Sequence, residues 1–251
     1  MNGERPIAAI ADIHGNADAL KAVLADIDAR GITTILNLGD HLSGPLAPRE
    51  TADILLSREM VSIRGNHDRY LVEQAIAQMG ASDRVAAEQL DDHHRAWLAA
   101  LPATVTYRDQ VYLCHGTSTS DVTYWMENVR ADESVGRRDL AEIEAWAAGI
   151  DLPVIVCGHT HVPRALRLRD GRLLVNPGSV GCPGYEDTSP PHRMETGNPA
   201  ASYAILTKTS DGWDVTFRLV PYDTTRMAAL ARGFDRPEWA SVVATGWLPA
   251  R

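Results

Sequence analysis

Thr34-Ile35-Leu36-Asn37-Leu38-Gly39-Asp40-His41 is an apolar run that stops abruptly at a glycine and a carboxylate. Four further stretches repeat that form: Ile7 to Asn16, Met60 to Asp68, Val111 to Gly116 and Val154 to His161. In each, a strand-like run ends in Gly, His, Asp or Asn. An open α/β sheet binds ligands at the carboxyl ends of its strands, where side chains from separate strands converge on a rigid frame. Five such ends offering carboxylate, imidazole and amide groups read as one metal site.

Composition bounds the reading from outside. The chain has 251 residues, 45% hydrophobic and 23% charged, ordinary proportions for a globular protein with a full core. Its net charge of −9 gives no sign of a broad nucleic-acid or membrane surface. The cysteines, Cys114, Cys157 and Cys182, lack C-x-x-C spacing, so neither a disulfide framework nor a structural zinc site is expected. No apolar run approaches the roughly 18 residues of a membrane span, and the cytoplasm is the expected location.

Outward from the opening stretch, the chain reads as βαβ. Leu20, Val23, Leu24 and Ile27 recur at helical spacing between the strands at Ile7 to Ala11 and Ile35 to Leu38, and Gly31 stops that helix. From about 69 to 105 the pattern is helical, with Leu71, Ala75 and Met79 on one stripe, and reads as an insertion. Asp170-Gly171 and Asp211-Gly212 each separate two strand-like runs and predict hairpins. Gly181 to Pro199, rich in Pro and Gly, reads as either a disordered loop or a lid. Short helices are expected in a tail from about 222 to 251. The expected fold is α/β, two packed mixed β-sheets flanked by helices in a single domain spanning 1–251.

The chemistry follows from spacing. Asp12 and His14 lie two apart, as do His159 and His161, and a two-residue step in extended backbone aims both side chains one way. Asp40, Asn66 and His115 complete a set of oxygen and imidazole donors suited to Mn, Fe, Zn or a Mg-like ion.

These motifs, D-x-H at Asp12 to His14, G-D at Gly39-Asp40, G-N-H-D at Gly65 to Asp68, His115, and G-H-x-H at Gly158 to His161, resemble in type and order those of the calcineurin-like metallophosphoesterases. The resemblance implies two divalent ions. Asp12, His14 and His161 would hold the first, and Asn66, His115 and His159 the second, with Asp40 bridging. It further implies a bridging hydroxide as nucleophile for in-line attack, and His67 as the group that assists the leaving alkoxide. The protein serine/threonine phosphatases of this superfamily continue G-D as G-D-x-x-D-R-G. Here Gly39 to Pro45 lacks both the Asp that orients the histidine and the Arg that grips phosphate. Asp68, next to His67, is the candidate replacement for that Asp. The Gly44-Pro45 step and Asn176-Pro177-Gly178-Ser179 are instead similar to the small bacterial and archaeal phosphodiesterase-like branch.

The expected activity is therefore hydrolysis of a small, nucleotide-like phosphodiester. A monoesterase or protein phosphatase of the same chemistry is the alternative, as is a non-catalytic scaffold on the same fold, which intact His67 and ligands disfavour. His41, Arg64, Tyr124, His192 and Arg193 are the candidate substrate contacts. His93 and His94, in a polar helical segment, read as solvated, and an exposed apolar helix of the insertion could pair two copies in a homodimer.

Overall fold

The computed structural model describes residues 5–250. The first sheet comprises β1 (Ile7–Ile10), β2 (Thr34–Asn37), β3 (Val61–Ser62), β13 (Ala201–Thr209) and β14 (Gly212–Val220), ordered β14-β13-β1-β2-β3. β1, β2 and β3 run parallel, while β13 and β14 form an antiparallel hairpin beside β1. The second sheet is β4 (Val105–Tyr107), β5 (Val111–Leu113), β8 (Val154–Val156), β10 (Leu173–Asn176) and β9 (Arg164–Arg167), with β5, β8 and β10 parallel. Both Asp-Gly hairpins form as the sequence predicts.

Strand alternation sorts the core into layers. Ile7 and Ala9 of β1 join Leu36, Val111, Val154 and Val175 between the sheets. Ala8 and Ile10 face the other way, against Leu20, Val23 and Ile27 of α1 (Ala17–Ala29). Ile155 and Leu174 of the second sheet pack on Ile143 of α6 (Leu140–Trp146). Helices thus cover both outer faces, and among the described residues none is long and apolar enough to cross a membrane.

The insertion is helical but not continuous. α3 (Asn66–Glu73) ends at Gln74, a short 3-10 turn covers Ile76–Gln78, and α4 (Ala81–Gln89) and α5 (Asp92–Ala100) follow. Leu71 and Met79 are buried in one core, but Ala75, expected on the same stripe, is exposed because the chain turns there. His94 is buried with Nε2 3.1 Å from Asp53, a correction to its solvated reading.

Gly181 to Pro199 is also not a featureless loop. After the short hairpin β6 (Glu127–Val129) and β7 (Val135–Arg137), residues Gly184–Thr188 and Pro191–Glu195 form a second small hairpin, β11 and β12. Its Pro and Gly content hides the alternation of buried His192 and Met194. The tail forms α7 (Thr225–Gly233) and α8 (Pro237–Thr245), which follow α2 (Pro48–Leu56) in chain order and bury Met227, Ala231 and Val243 against Ala17 and Leu46.

Candidate metal centre

Every predicted ligand lies just past a parallel strand. Asp12 and His14 follow β1, Asp40 follows β2, Asn66 opens α3 after β3, His115 follows β5, and His159 and His161 follow β8. The two sheets therefore deliver their carboxyl ends to one seam. The backbone there is not extended as the two-residue spacing suggests: Asp12, His14, Asp40, His159 and His161 all have φ between 50° and 71°. These are five of the nine non-glycine residues with positive φ among those described. Such conformations cost of order 1–3 kcal/mol each and persist only where the surroundings impose them, which is characteristic of functional sites.

The surroundings that impose them are specific. Ser179 Oγ donates to the Asp12 carbonyl at 2.6 Å, and Asn176 Nδ2 donates to the Gly158 carbonyl at 2.7 Å, so the N-P-G-S turn braces two ligand loops. Gly65 has ordinary φ, but a Cβ there would lie 2.2 Å from Asp40 Oδ1. At Gly44, which faces the other ligand loop, a Cβ would sit 2.3 Å from the His14 carbonyl oxygen.

The donor atoms converge as a cation would require. His14 and His161 donate from Nδ1 to the carbonyls of Ser43 and Cys182, at 2.7 and 2.6 Å. Their Nε2 atoms, left as lone pairs, face each other at 3.1 Å. His115 likewise donates from Nδ1 to Leu38, while its Nε2 sits 3.1 Å from Asn66 Oδ1 and 3.2 Å from Asp40 Oδ2. The facing His14 and His161 acceptors repel in a dry site unless a cation lies between them, and at His115 the Asp40 carboxylate calls for a proton or a cation on Nε2. Asp12, His14 and His161 form one group with potential donor atoms within 4.8 Å of one another, and Asp40, His115 and His159 form a second. Asp40 Oδ2 is also 3.8 Å from His14 Nε2, so it stands between the groups. All donors are oxygen or imidazole; the Cys182 thiol is turned to the Gly184 carbonyl.

The electrostatics fit the same reading. Burial is the largest influence on each imidazole and acts to discharge it, holding His14 down to about 4 and His159 to about 3, with His161 well below the usual range. Burial also pulls His115 down, but the adjacent Asp40 carboxylate outweighs it and carries the ring up to about 10. For Asp40 the push of burial upward is overcome by His115 and His67, leaving it ionised well below the carboxylate range. Asp12 is raised to about 8, chiefly by burial. His14, His159 and His161 are thus neutral donors, while the protons favoured on His115 beside Asp40 and on Asp12 are those that divalent cations would displace on binding.

His67 stands at the edge of this cluster with its side chain 32% exposed. Its orienting partner is not Asp68. That carboxylate is fully buried and accepts from the backbone N–H groups of Asp40, His41 and Gly65 and from His41 Nδ1, at 2.7–3.0 Å. As the third residue of α3 it is aimed back at the start of its own helix, which adjacency in sequence to His67 does not reveal. Asp83 of α4 takes the place instead, its Oδ1 2.8 Å from His67 Nδ1. Burial pulls His67 down, but the Asp40 charge and then the Asp83 hydrogen bond raise it to about 9.

Of the expected substrate contacts, Tyr124 and His192 line a cavity of about 1020 Å³ above the cluster. The other three do not line it. His41 is buried on Asp68 and against Trp97, Arg64 is directed to Glu73, and Arg193 to Glu186 and the Pro249 carbonyl. Each has a nearer partner that its local sequence does not show. Tyr185 and Trp239 were not anticipated: Tyr185 packs at 4.7 Å on His161, and Trp239 of α8 at 5.9 Å on His14, while Tyr124 covers His159 at 5.0 Å. Only folding of the second small hairpin and the tail brings them here.

The calcineurin-like phosphoesterase superfamily domain profile matches residues 6–207. Among solved structures, a metallophosphoesterase from Sphaerobacter thermophilus is 27% identical, with a TM-score of 0.72 over 97% of this chain and 99% of that one. A hypothetical protein from Pyrococcus horikoshii OT3 is 18% identical with a TM-score of 0.74, over 97% and 99% of the two chains, and shares the fold. An uncharacterized protein of Methanocaldococcus jannaschii is 27% identical over 70% of this chain and 76% of its own length.

Proposed function

The chain belongs to the calcineurin-like phosphoesterase superfamily and is a metal-dependent hydrolase of phosphoric esters, and from that premise we propose that it cleaves a small, nucleotide-like phosphodiester at a dinuclear centre. Asp12, His14 and His161 would hold one divalent ion, Asn66, His115 and His159 the other, with Asp40 between them. When bound, such ions neutralise phosphate charge and acidify a water. The remaining work falls to the chain itself. Asp83 fixes His67 through Nδ1, leaving Nε2 to carry a proton to the departing alkoxide, and the Asp83 carboxylate favours the charged ring that this task needs.

The observation that carries the diester reading is the cavity. Its volume suits a small molecule rather than a protein loop. Aromatic rings border both ligand groups, Tyr124 at His159 of one and Trp239 at His14 of the other, offering apolar contacts to organic substituents on a phosphoryl group. The cavity arginines, Arg138 and Arg236, are engaged by Glu142 and Glu238, so neither is presented to the extra charge of a monoester dianion. The test is hydrolysis of an aryl phosphodiester and its monoester by metal-stripped protein before and after Mn²⁺ is added. Restored turnover favouring the diester supports the reading, and preference for the monoester refutes it. Calorimetric titration of the stripped protein with Mn²⁺ should report two ions per chain.

A further inference from the structure

β14 is the outer strand of the first sheet, paired only with β13 among the described residues. It runs nine residues, Gly212–Val220, whereas the other sheet edges, β3, β4 and β9, have two, three and four. Short edge strands, Pro, Lys and bulges are the usual protections against strand addition. β14 is long, unbulged and without Pro or Lys, and its two charges, Asp214 and Arg218, are of opposite sign: after Gly212 it reads Trp-Asp-Val-Thr-Phe-Arg-Leu-Val. It also carries two of the large hydrophobics left in solvent, Phe217 at 37% and Leu219 at 51%.

The sequence of this edge is complementary to itself. The tight turn pairs Thr209 with Gly212, so alternation along an antiparallel ladder turns the N–H and C=O groups of Gly212, Asp214, Thr216 and Arg218 toward β13. Those of Trp213, Val215, Phe217 and Leu219 then face outward, consistent with the Trp213 carbonyl accepting from Arg167 across the sandwich at 2.8 Å. Place a second copy antiparallel with the two-fold axis at Thr216. Val215 then meets Phe217, the pair exchanging outward backbone hydrogen bonds, and Trp213 meets Leu219, where the Trp213 N–H donates while its carbonyl stays with Arg167. On the other face Asp214 meets Arg218, a cross-strand pair of opposite charge. Arg218 already lies 3.3 Å from Asp26, so it would join two carboxylates. Moving the axis to Val215 or Phe217 removes the charge pairing.

We propose that β14 is a homodimer seam, joining the first sheets of two copies into one continuous antiparallel-edged sheet about Thr216, away from the metal centre and from the insertion helices. Sedimentation across a concentration series should show a monomer–dimer equilibrium, with Phe217→Lys shifting its midpoint roughly tenfold or more to higher concentration. Thr216→Cys gives the sharper test. Directly opposite residues of a non-hydrogen-bonded pair have Cβ atoms about 4.5–5.5 Å apart, near enough for a disulfide after slight adjustment. Thr216→Cys should therefore form a covalent dimer on oxidation. Asp214→Cys should not, since in this register it lies about 14 Å from its own copy. The native cysteines are buried and leave the readout clean. Wild-type protein that stays monomeric at high concentration overturns the proposal. So does a dimer indifferent to Phe217→Lys, which belongs to another surface, or cross-linking by Asp214→Cys in place of Thr216→Cys. Diester hydrolysis by each variant reports that it is folded, since β14 supplies no residue to the site.

Discussion

Asp83→Asn keeps the shape of the side chain and removes its charge, and it isolates the hydrogen bond that the insertion supplies to His67. The lost contact is a 2.8 Å hydrogen bond between a carboxylate 4% exposed and an imidazole 32% exposed. Hydrogen bonds to charged groups contribute about 1.5–3 kcal/mol, and partial solvent access to His67 places this one toward the lower end. At about 1.4 kcal/mol per decade, kcat on an aryl diester should fall roughly tenfold, and less than a hundredfold, with KM little changed. The pH profile distinguishes orientation from a general structural defect. His67 must be protonated to serve the leaving group, and its pKa is about 9, held there by Asp40 and Asp83 against the opposing pull of burial. Turnover should therefore decline on the alkaline side as His67 loses its proton, and removing Asp83 should move that decline to lower pH. Stability follows the same sign. A raised imidazole pKa stabilises the fold fully below its unfolded value near 6.5 and loses the contribution as pH rises through 9. In metal-stripped protein the difference in melting temperature between wild type and Asp83→Asn should then be greatest below pH 6.5, shrink between 6.5 and about 9, and be lost above that. Turnover within twofold of wild type, or a slowed enzyme whose alkaline limb has not moved, would refute the pairing.

Two further substitutions test the frame rather than the proton. Asp68→Ala leaves four buried donors without an acceptor, at about 1–3 kcal/mol each, so thermal denaturation should show severe destabilisation or failure to fold; a near-native melting temperature would return Asp68 to consideration as a catalytic group. Gly65→Ala is permitted by its φ but drives a Cβ into Asp40 Oδ1, so Mn²⁺ affinity should fall while overpacking costs about 1–3 kcal/mol; unchanged Mn²⁺ titration would mean the carboxylate has room the structure does not show.

The sequence by itself determined the frame of this protein and pointed to its candidate metal ligands. Apolar runs of strand length ending in Gly, Asp, His and Asn carry their meaning locally. A buried parallel strand needs a continuous hydrophobic run, and the residue after it must leave the sheet, so fold and donor atoms are written side by side at Asp12, Asp40, Asn66, His115 and His159. The two Asp-Gly hairpins are legible for the same reason, because the turn geometry is a property of the residues in the turn. What lies around those donors was settled by tertiary structure. Asp83 reaches His67 across 16 positions, Trp239 reaches His14 from a helix near the chain's end, and Tyr185 reaches His161 from a hairpin that Pro and Gly disguise as loop. His41, Arg64 and Arg193 have the right chemistry for phosphate, yet are bound to Asp68, Glu73 and Glu186. A side chain's type states what it can bind, but its partner is whichever group the folded chain brings within about 3 Å, and that distance depends on the packing of distant segments.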